Sequence, residues 1–252
     1  MRFDILTIFP HIFDSYLKES LLKRAQAEGL VEVVAHNLRD YTDDKHKTTD
    51  DAPYGGGPGM VMKAEPIARA IESLSLRGVS SAPRETTKQS REIATPLDKL
   101  GARNDGEAQT RIILFSAKGR QFDARMAKRL SKYDRLILIC GRYEGVDERV
   151  AQYIADEEIS IGPYVLSGGE IGAMALVEAV SRHISGVLGK EESLEEKRYG
   201  MGVPAYTRPE VFAWGGKRIM VPKVLLSGDH KKIEEWRRRK AAISNFQIPN
   251  YK

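Results

Sequence analysis

Two short segments concentrate the residues of this chain that could do chemistry: Cys140 to Arg149 (CGRYEGVDER) and Ile159 to Glu170 (ISIGPYVLSGGE). Each lies at the end of an apolar strand and sets carboxylates, arginine or tyrosine among glycines. Glycine lets a ligand approach the backbone, and in α/β sheets ligands sit beyond the carboxyl ends of the strands. Two such loops in succession read as two walls of one pocket. The plainer reading is a pair of tight turns carrying solvated charges.

Several familiar chemistries lack their parts. Gly55-Gly56-Gly57-Pro58-Gly59 fails the G-x-G-x-x-G dinucleotide fingerprint, because its third glycine position falls on Met60, Val61 or Met62. No G-x-x-x-x-G-K-[ST] loop and no G-x-S-x-G elbow occurs. The 5 histidines have no metal-ligand spacing, and the 1 cysteine, Cys140, cannot build a structural zinc site or a disulfide framework. What is left is a backbone-lined pocket bordered by carboxylates and arginines. Such a pocket suits a neutral or zwitterionic ligand held by backbone hydrogen bonds.

The elements that position these loops follow from the apolar pattern. Phe3 to Phe9 reads as a strand closed by Pro10, and Phe13 to Ala27 has helical spacing stopped by Gly29. Val31 to Ala35 is a second short strand, and Met62 to Leu74 is helical again. Arg111 to Phe115 and Leu136 to Cys140 read as buried strands flanking a short helix through Phe122, Met126 and Leu130. Strand, helix, strand in this order is a βαβ unit, so the class is α/β with a parallel sheet. A further helix runs from Glu170 to Ser181.

Composition bounds the rest. A chain of 252 residues with 41% hydrophobic and 30% charged residues can bury a full core and is neither disordered nor membrane-spanning. Asp4 interrupts the N-terminal apolar stretch and no small-residue cleavage site follows, which argues against a signal peptide. The lone cysteine suits a reducing, cytoplasmic setting. A net charge of +5 is compatible with a polyanionic partner, and Lys231-Lys232 and Arg237 to Lys240 flank Trp236. Three parts are expected: a catalytic domain over 1–185, in which 75–110 reads as a mobile surface insertion; a linker over 186–205; and a small helical, basic part over 206–252.

Longer strings carry a specific resemblance. PYGGGPGM (Pro53–Met60), CGRYEGVDERV (Cys140–Val150), SIGPYVLSGGE (Ser160–Glu170), GVLG (Gly186–Gly189) and YTRPE (Tyr206–Glu210) occur in the order found in the bacterial tRNA (guanine-N1)-methyltransferase family. The chain resembles that family everywhere except the 75–110 insertion and the end of the chain. The resemblance implies a SPOUT-like fold with a deep trefoil knot, which local periodicity could not suggest because knots are rare. It implies methylation by S-adenosylmethionine of N1 of the guanosine immediately 3′ of the anticodon (position 37) of tRNA. It also implies a homodimer whose active sites are shared between protomers, and magnesium assistance, for which no site is legible.

Carried over residue by residue, the resemblance places the cofactor against Leu114, Phe115, Gly141, Tyr143 and Glu144 on one side. The other wall is Ile161, Gly162, Pro163, Tyr164, Val165 and Leu166, with Gly168 and Gly169 behind. It makes Arg182 the cation near guanine O6 and puts Asp50 near the target base. At the general base the chain departs. Relatives carry an aspartate in the linker, and gap-free alignment from GVLG puts Lys197 there, so Glu196, or Glu195, is expected to take the role. A protonated lysine cannot accept a proton. The family's S-P-Q-G is Ser116-Ala117-Lys118-Gly119 here, and the basic C-terminal part looks abbreviated. Two alternatives stay open: a knotted methyltransferase for another RNA target, such as ribosomal RNA, and a non-catalytic RNA-binding module, whose only support is Lys197.

Overall fold

The computed structural model describes residues 1–77, 109–189 and 203–243. Most of the 75–110 insertion, the linker residues Glu195, Glu196 and Lys197, and the last residues lie outside the described ones. The chain forms two compact units, Met1–Val187 and Leu188–Lys252.

In the first unit the strands are β1 (Arg2–Thr7), β2 (Glu32–Asn37), the two-residue antiparallel pair β3 (Asp50–Asp51) and β4 (Val61–Met62), β5 (Thr110–Gln121), β6 (Arg135–Cys140) and β7 (Glu157–Ser160). The helices are α1 (Asp14–Leu17), α2 (Ser20–Ala27), α3 (Ala64–Arg77), α4 (Ala124–Leu130), α5 (Glu148–Tyr153) and α6 (Glu170–Ser181). Five strands form one sheet in the order β2-β1-β6-β5-β7, and all its neighbouring pairs are parallel.

The two-residue period of a strand decides which side chain meets which helices. Phe3, Ile5, Ile113, Phe115, Leu136, Leu138 and Cys140 turn to the face covered by α2, α4 and α6, where they meet Leu22, Leu130 and Leu176. Leu6, Ile112, Leu114, Ile137 and Ile139 turn to the face covered by α3 and α5, against Ile67, Leu74 and Val150. Both faces are apolar, as a parallel sheet requires. All the strands therefore direct their carboxyl ends to one edge, where the two glycine loops emerge.

Three details depart from the sequence reading. The single helix expected over Phe13 to Ala27 is broken into α1 and α2, with Ser20 in the left-handed region (φ 46°). The side-chain amide of Gln26 donates to the Leu17 carbonyl freed at the break (2.8 Å). Second, β5 does not stop at Phe115: its pairing with β7 shifts register between Phe115 and Arg120, so residues 116–119 bulge outward at the sheet's carboxyl edge. Third, the C-terminal unit is not purely helical. It holds a hairpin, β8 (Val211–Trp214) and β9 (Lys217–Met220), before α7 (Lys223–Leu226) and α8 (His230–Ile243). Gly215 and Gly216, both at positive φ (58° and 73°), form the two-residue turn that this hairpin type demands.

One polar cluster is buried in the sheet. Asp4 alternates onto the α3 face, where it is fully buried, and accepts from His36 Nε2 (2.6 Å), Arg135 Nε (2.7 Å) and Arg2 Nε (2.9 Å). Arg135 also donates to the Leu74 carbonyl of α3 (2.9 Å), tying helix to sheet. Burial alone would push the Asp4 carboxyl up. The hydrogen bonds from His36, Arg2 and Arg135 outweigh it and hold the group far below the ordinary carboxylate range. A depressed folded-state pKa contributes stability above the unfolded value, near 3.9, and loses it as pH falls toward the folded one. Asp4→Ala should therefore lower the unfolding free energy by about 3–5 kcal/mol at pH 7. In paired denaturant titrations the gap between the two proteins should stay constant above about pH 5 and shrink below about pH 4. A gap independent of pH down to acid unfolding would refute this assignment.

Candidate active site

The site is built where β5, β6 and β7 end. After Cys140 the chain turns through Gly141 to Asp147, and after Ser160 it runs through Ile161 to Gly169 before entering α6. The two loops meet backbone to backbone. The Gly169 amide donates to the Gly141 carbonyl (3.0 Å), and Arg142 and Gly168 form an antiparallel bridge. A side chain at 169 is excluded, since its Cβ would lie 2.8 Å from the Cα of Cys140 and 3.0 Å from the Cβ of Phe115. On its other side the first loop is laced to β4. Glu144 donates its amide to the Met60 carbonyl (3.0 Å), Met62 to Gly145 (2.9 Å) and Asp147 to Met62 (2.9 Å). Tyr143, at the tip, is held at φ 60°, a conformation that costs on the order of 1–3 kcal/mol for a residue with a Cβ.

Between the loops lies a cleft of about 450 Å³. Leu114, Phe115 and Ile159 give it apolar surface, and the second loop gives it backbone. The amides of Val165 and Leu166 donate to no protein group among the described residues. Glu144, Glu148 and Glu158 line it, with one Glu158 oxygen buried and without a hydrogen-bond partner. Lys118, on the bulge of β5, sits 2.6 Å from Glu148 and 3.7 Å from Glu158. Its bond to Glu148 raises the lysine and lowers the glutamate. Cys140, the last residue of β6, is fully buried, which pushes its thiol well up, and the nearby Glu170 charge adds to this.

Beneath the cleft is a buried ion pair. Glu170, the first residue of α6, is 2% exposed and accepts from the Thr7 hydroxyl of β1 (2.8 Å) and from Arg142 Nε (3.2 Å). Arg142 Nη2 lies 3.0 Å from its other oxygen, an ionic contact without hydrogen-bond alignment. The Arg142 guanidinium also stacks on Phe9, 4.7 Å from the ring centroid. This set joins the end of β1, the first glycine loop and the start of α6.

The structure brings together most of the residues singled out in the sequence. Every expected cofactor-contacting residue lines the cleft except Pro163, which sits exposed on the second loop. Arg182 and Asp50 do not line it. Arg182 is the residue that ends α6, half-buried and without a side-chain ion pair among the described residues. Asp50 lies in β3, paired with Met62 of the strand that braces the first loop. Glu196 falls outside the described residues. The sequence reading missed Lys118, Glu148 and Glu158 on the cleft wall, the Arg142–Glu170 pair, and Gly172. A Cβ at Gly172 would stand 2.8 Å from Phe115 Cδ1, so the bare helix face gives the Phe115 ring its place. The available signal was position: Gly172 lies two residues after SGGE, on the helix face that returns to the sheet. Among the described residues no group of three or more His, Cys, Asp or Glu could hold a metal ion, and no helix is long and apolar enough to cross a membrane.

Known proteins are similar to this chain over nearly its whole length. A profile of the family described as tRNA (Guanine-1)-methyltransferase TrmD matches residues 1–247. A tRNA (guanine-N(1)-)-methyltransferase of Geotalea uraniireducens is 47% identical over 244 residues, 96% of this chain and 85% of that protein. The Geobacter sulfurreducens protein of the same name is 45% identical, over 96% of this chain and 86% of its own length. Among solved structures, the tRNA (m1G37) methyltransferase of Aquifex aeolicus superposes with a TM-score of 0.68 at 37% identity, covering 95% of this chain and 88% of that one.

The buried pair and the exposed one should behave differently when broken. Glu170→Ala strands the Arg142 guanidinium and the Thr7 hydroxyl, and should lower the unfolding free energy by about 3–5 kcal/mol in denaturant titrations. Glu148→Gln breaks only the exposed Lys118–Glu148 pair, leaving Lys118 beside Glu158, and should leave the unfolding midpoint nearly unchanged. Equal effects would contradict the role given to Glu170.

Proposed function

The chain belongs to the tRNA (guanine-1)-methyltransferase family, and on that premise we propose how its residues transfer a methyl group from S-adenosylmethionine to N1 of guanosine 37 in tRNA, immediately 3′ of the anticodon. The observation that carries this reading is the cleft formed by the two glycine loops at the carboxyl edge of the sheet.

The cleft residues fit S-adenosylmethionine. Its volume lies within the range of roughly 300–1,000 Å³ usual for small-molecule sites. The unpaired amides of Val165 and Leu166 offer donors to a purine edge, and Leu114 and Phe115 offer it an apolar face. The Glu158 oxygen 3.7 Å from Lys118 makes no hydrogen bond and can accept one from a hydroxyl. The carboxylates of Glu144, Glu148 and Glu158 give the cleft the sign that a cationic ligand needs. When bound, S-adenosylmethionine supplies an electrophilic methyl group on a positively charged sulfur.

The chain's own task is at the base. Guanine N1 lies on the Watson–Crick edge and carries a proton at neutral pH, so the base must be unpaired and turned out of its stack. As the N1–carbon bond forms, the N1 proton passes to a carboxylate, which we assign to Glu196, with Glu195 as its neighbour in reserve. Arg182 stabilises the negative charge that develops on O6, and Asp50 contacts the target base. Within one protomer, the 12 residues of α6 carry Arg182 about 18 Å along the helix axis from the end that meets the cleft. A homodimer, in which the partner contributes to each site, accounts for that separation. Exposed Phe9, Tyr16, Val165 and Ile171 around the second loop and its helix supply apolar surface for such an interface. The threading of the knot, a cytoplasmic setting and a basic tRNA-gripping C-terminal part complete the reading. Magnesium assistance has no support among the described residues.

The test is methyl transfer from labelled S-adenosylmethionine to two unmodified tRNA transcripts, one with guanosine at position 37 and one with adenosine there. Label on the first alone is expected. Label on neither, despite donor binding, favours a non-catalytic RNA-binding module, and label on ribosomal RNA alone favours another RNA target. Glu196→Gln should lower kcat by about 10²-fold or more while leaving the donor KM near its original value. Near-normal turnover would reject Glu196 as the base.

A further inference from the structure

The β8–β9 hairpin of the C-terminal unit carries surface that the catalytic reading leaves unused. Phe212 stands opposite Ile219, and Trp214 opposite Lys217. Directly opposed residues share a face of a hairpin, so Phe212, Trp214, Ile219 and Lys217 form one row. That row is open: Trp214 is 71% exposed and Phe212 53%. The chain's other tryptophan behaves differently. Trp236 is 8% exposed and packs against Tyr206, with ring centroids 6.2 Å apart, as a structural residue does.

The charge of this segment is one-sided. No acidic residue occurs between Glu210 and Asp229, whereas Lys217, Arg218 and Lys223 do. Among the described residues, the side chains of Lys217 and Arg218 have no hydrogen-bond or ion-pair partner, although other exposed cations of the unit do, such as Lys232 with Asp229 and Arg238 with Glu234. Large exposed aromatics on a short hairpin with an unneutralised lysine in their row suit a partner that offers flat π surfaces and negative charge together. Unpaired nucleotides are that partner: a base stacks on the aromatic ring while a neighbouring phosphate meets the lysine.

We propose that the Phe212–Trp214–Lys217 face of this hairpin stacks an unpaired base of the tRNA substrate, with Lys217, in the same row, on the adjoining phosphate. This rests on the chain's reading as a tRNA methyltransferase and adds a recognition surface to it. Stacking tolerates any base, so the hairpin contributes affinity and position rather than sequence choice.

The experiment is a tRNA titration of the full-length enzyme followed by tryptophan fluorescence, with donor binding and sedimentation measured alongside. Binding should quench Trp214, and Trp214→Ala should abolish most of the quench and weaken tRNA affinity about tenfold or more. Trp214→Phe should restore affinity, because any aromatic ring can stack. Lys217→Ala should flatten the dependence of log affinity on log salt by about 1. Unchanged donor affinity and circular dichroism would show that each variant folds. If Trp214→Ala binds and methylates tRNA as the wild type does, the proposal fails while the enzyme reading stands. If it instead shifts the sedimentation of the RNA-free protein, the face is an interface between copies and the proposal is wrong. If the wild type neither binds nor methylates tRNA, the functional reading fails and the proposal with it.

Discussion

The cleft proposed to hold the methyl donor depends on the close approach of two backbones, at Gly141 and Gly169. One hydrogen bond joins them, and the space around it admits no side chain at 169. Everything else follows from that contact. It holds the second loop against the first, so that the amides of one and the carboxylates of the other face the same cleft. It also fixes where α6 begins, because Gly169 is the residue before that helix. A substitution there would separate the walls of the site without touching a ligand-contacting side chain.

A buried charge beneath the contact turns this approach into a rigid floor. Glu170 would be costly in an apolar core if it stood alone. Arg142 and Thr7 hydrogen-bond one of its oxygens, Arg142 lies 3.0 Å from the other, and each partner comes from a different strand end. The ion pair is weak evidence of net stability, since apolar replacements of such pairs are often as stable. Its consequence is positional: losing any one partner leaves another stranded, so the three elements hold one arrangement. The Asp4 cluster does the same for the sheet, joining β1, β2, β6 and the last turn of α3. The strained Tyr143 backbone is sustained by this bracing and by the ties to β4.

Much of this was legible before any coordinates. The strands containing Ile113 and Leu138 are continuous apolar runs, as strands buried on both faces must be. The cleft residues came largely from glycine-bracketed strings that resemble a known family. What was not legible has physical causes. The break at Ser20 depends on Gln26 reaching back to a freed carbonyl, which periodicity cannot register. The Thr7–Glu170 bond spans 163 residues, so only the sheet order brings the partners together. The bulge at residues 116–119 arises from pairing with β7, not from local propensity. The hairpin at Gly215-Gly216 carries a turn signal in the sequence, but it joins strands of only four residues each. Knot topology leaves no mark on local patterns at all.

The central claim is that both glycine loops contact one bound methyl donor. Hydrogen exchange of the full-length protein, with and without saturating S-adenosylmethionine, tests it most directly. The account predicts slowed exchange in both Gly141–Val146 and Ile161–Leu166, including the unpaired amides of Val165 and Leu166, with little change in the Gly55–Gly59 loop. Protection of only one of the two loops, or protection centred on Gly55–Gly59, would contradict it.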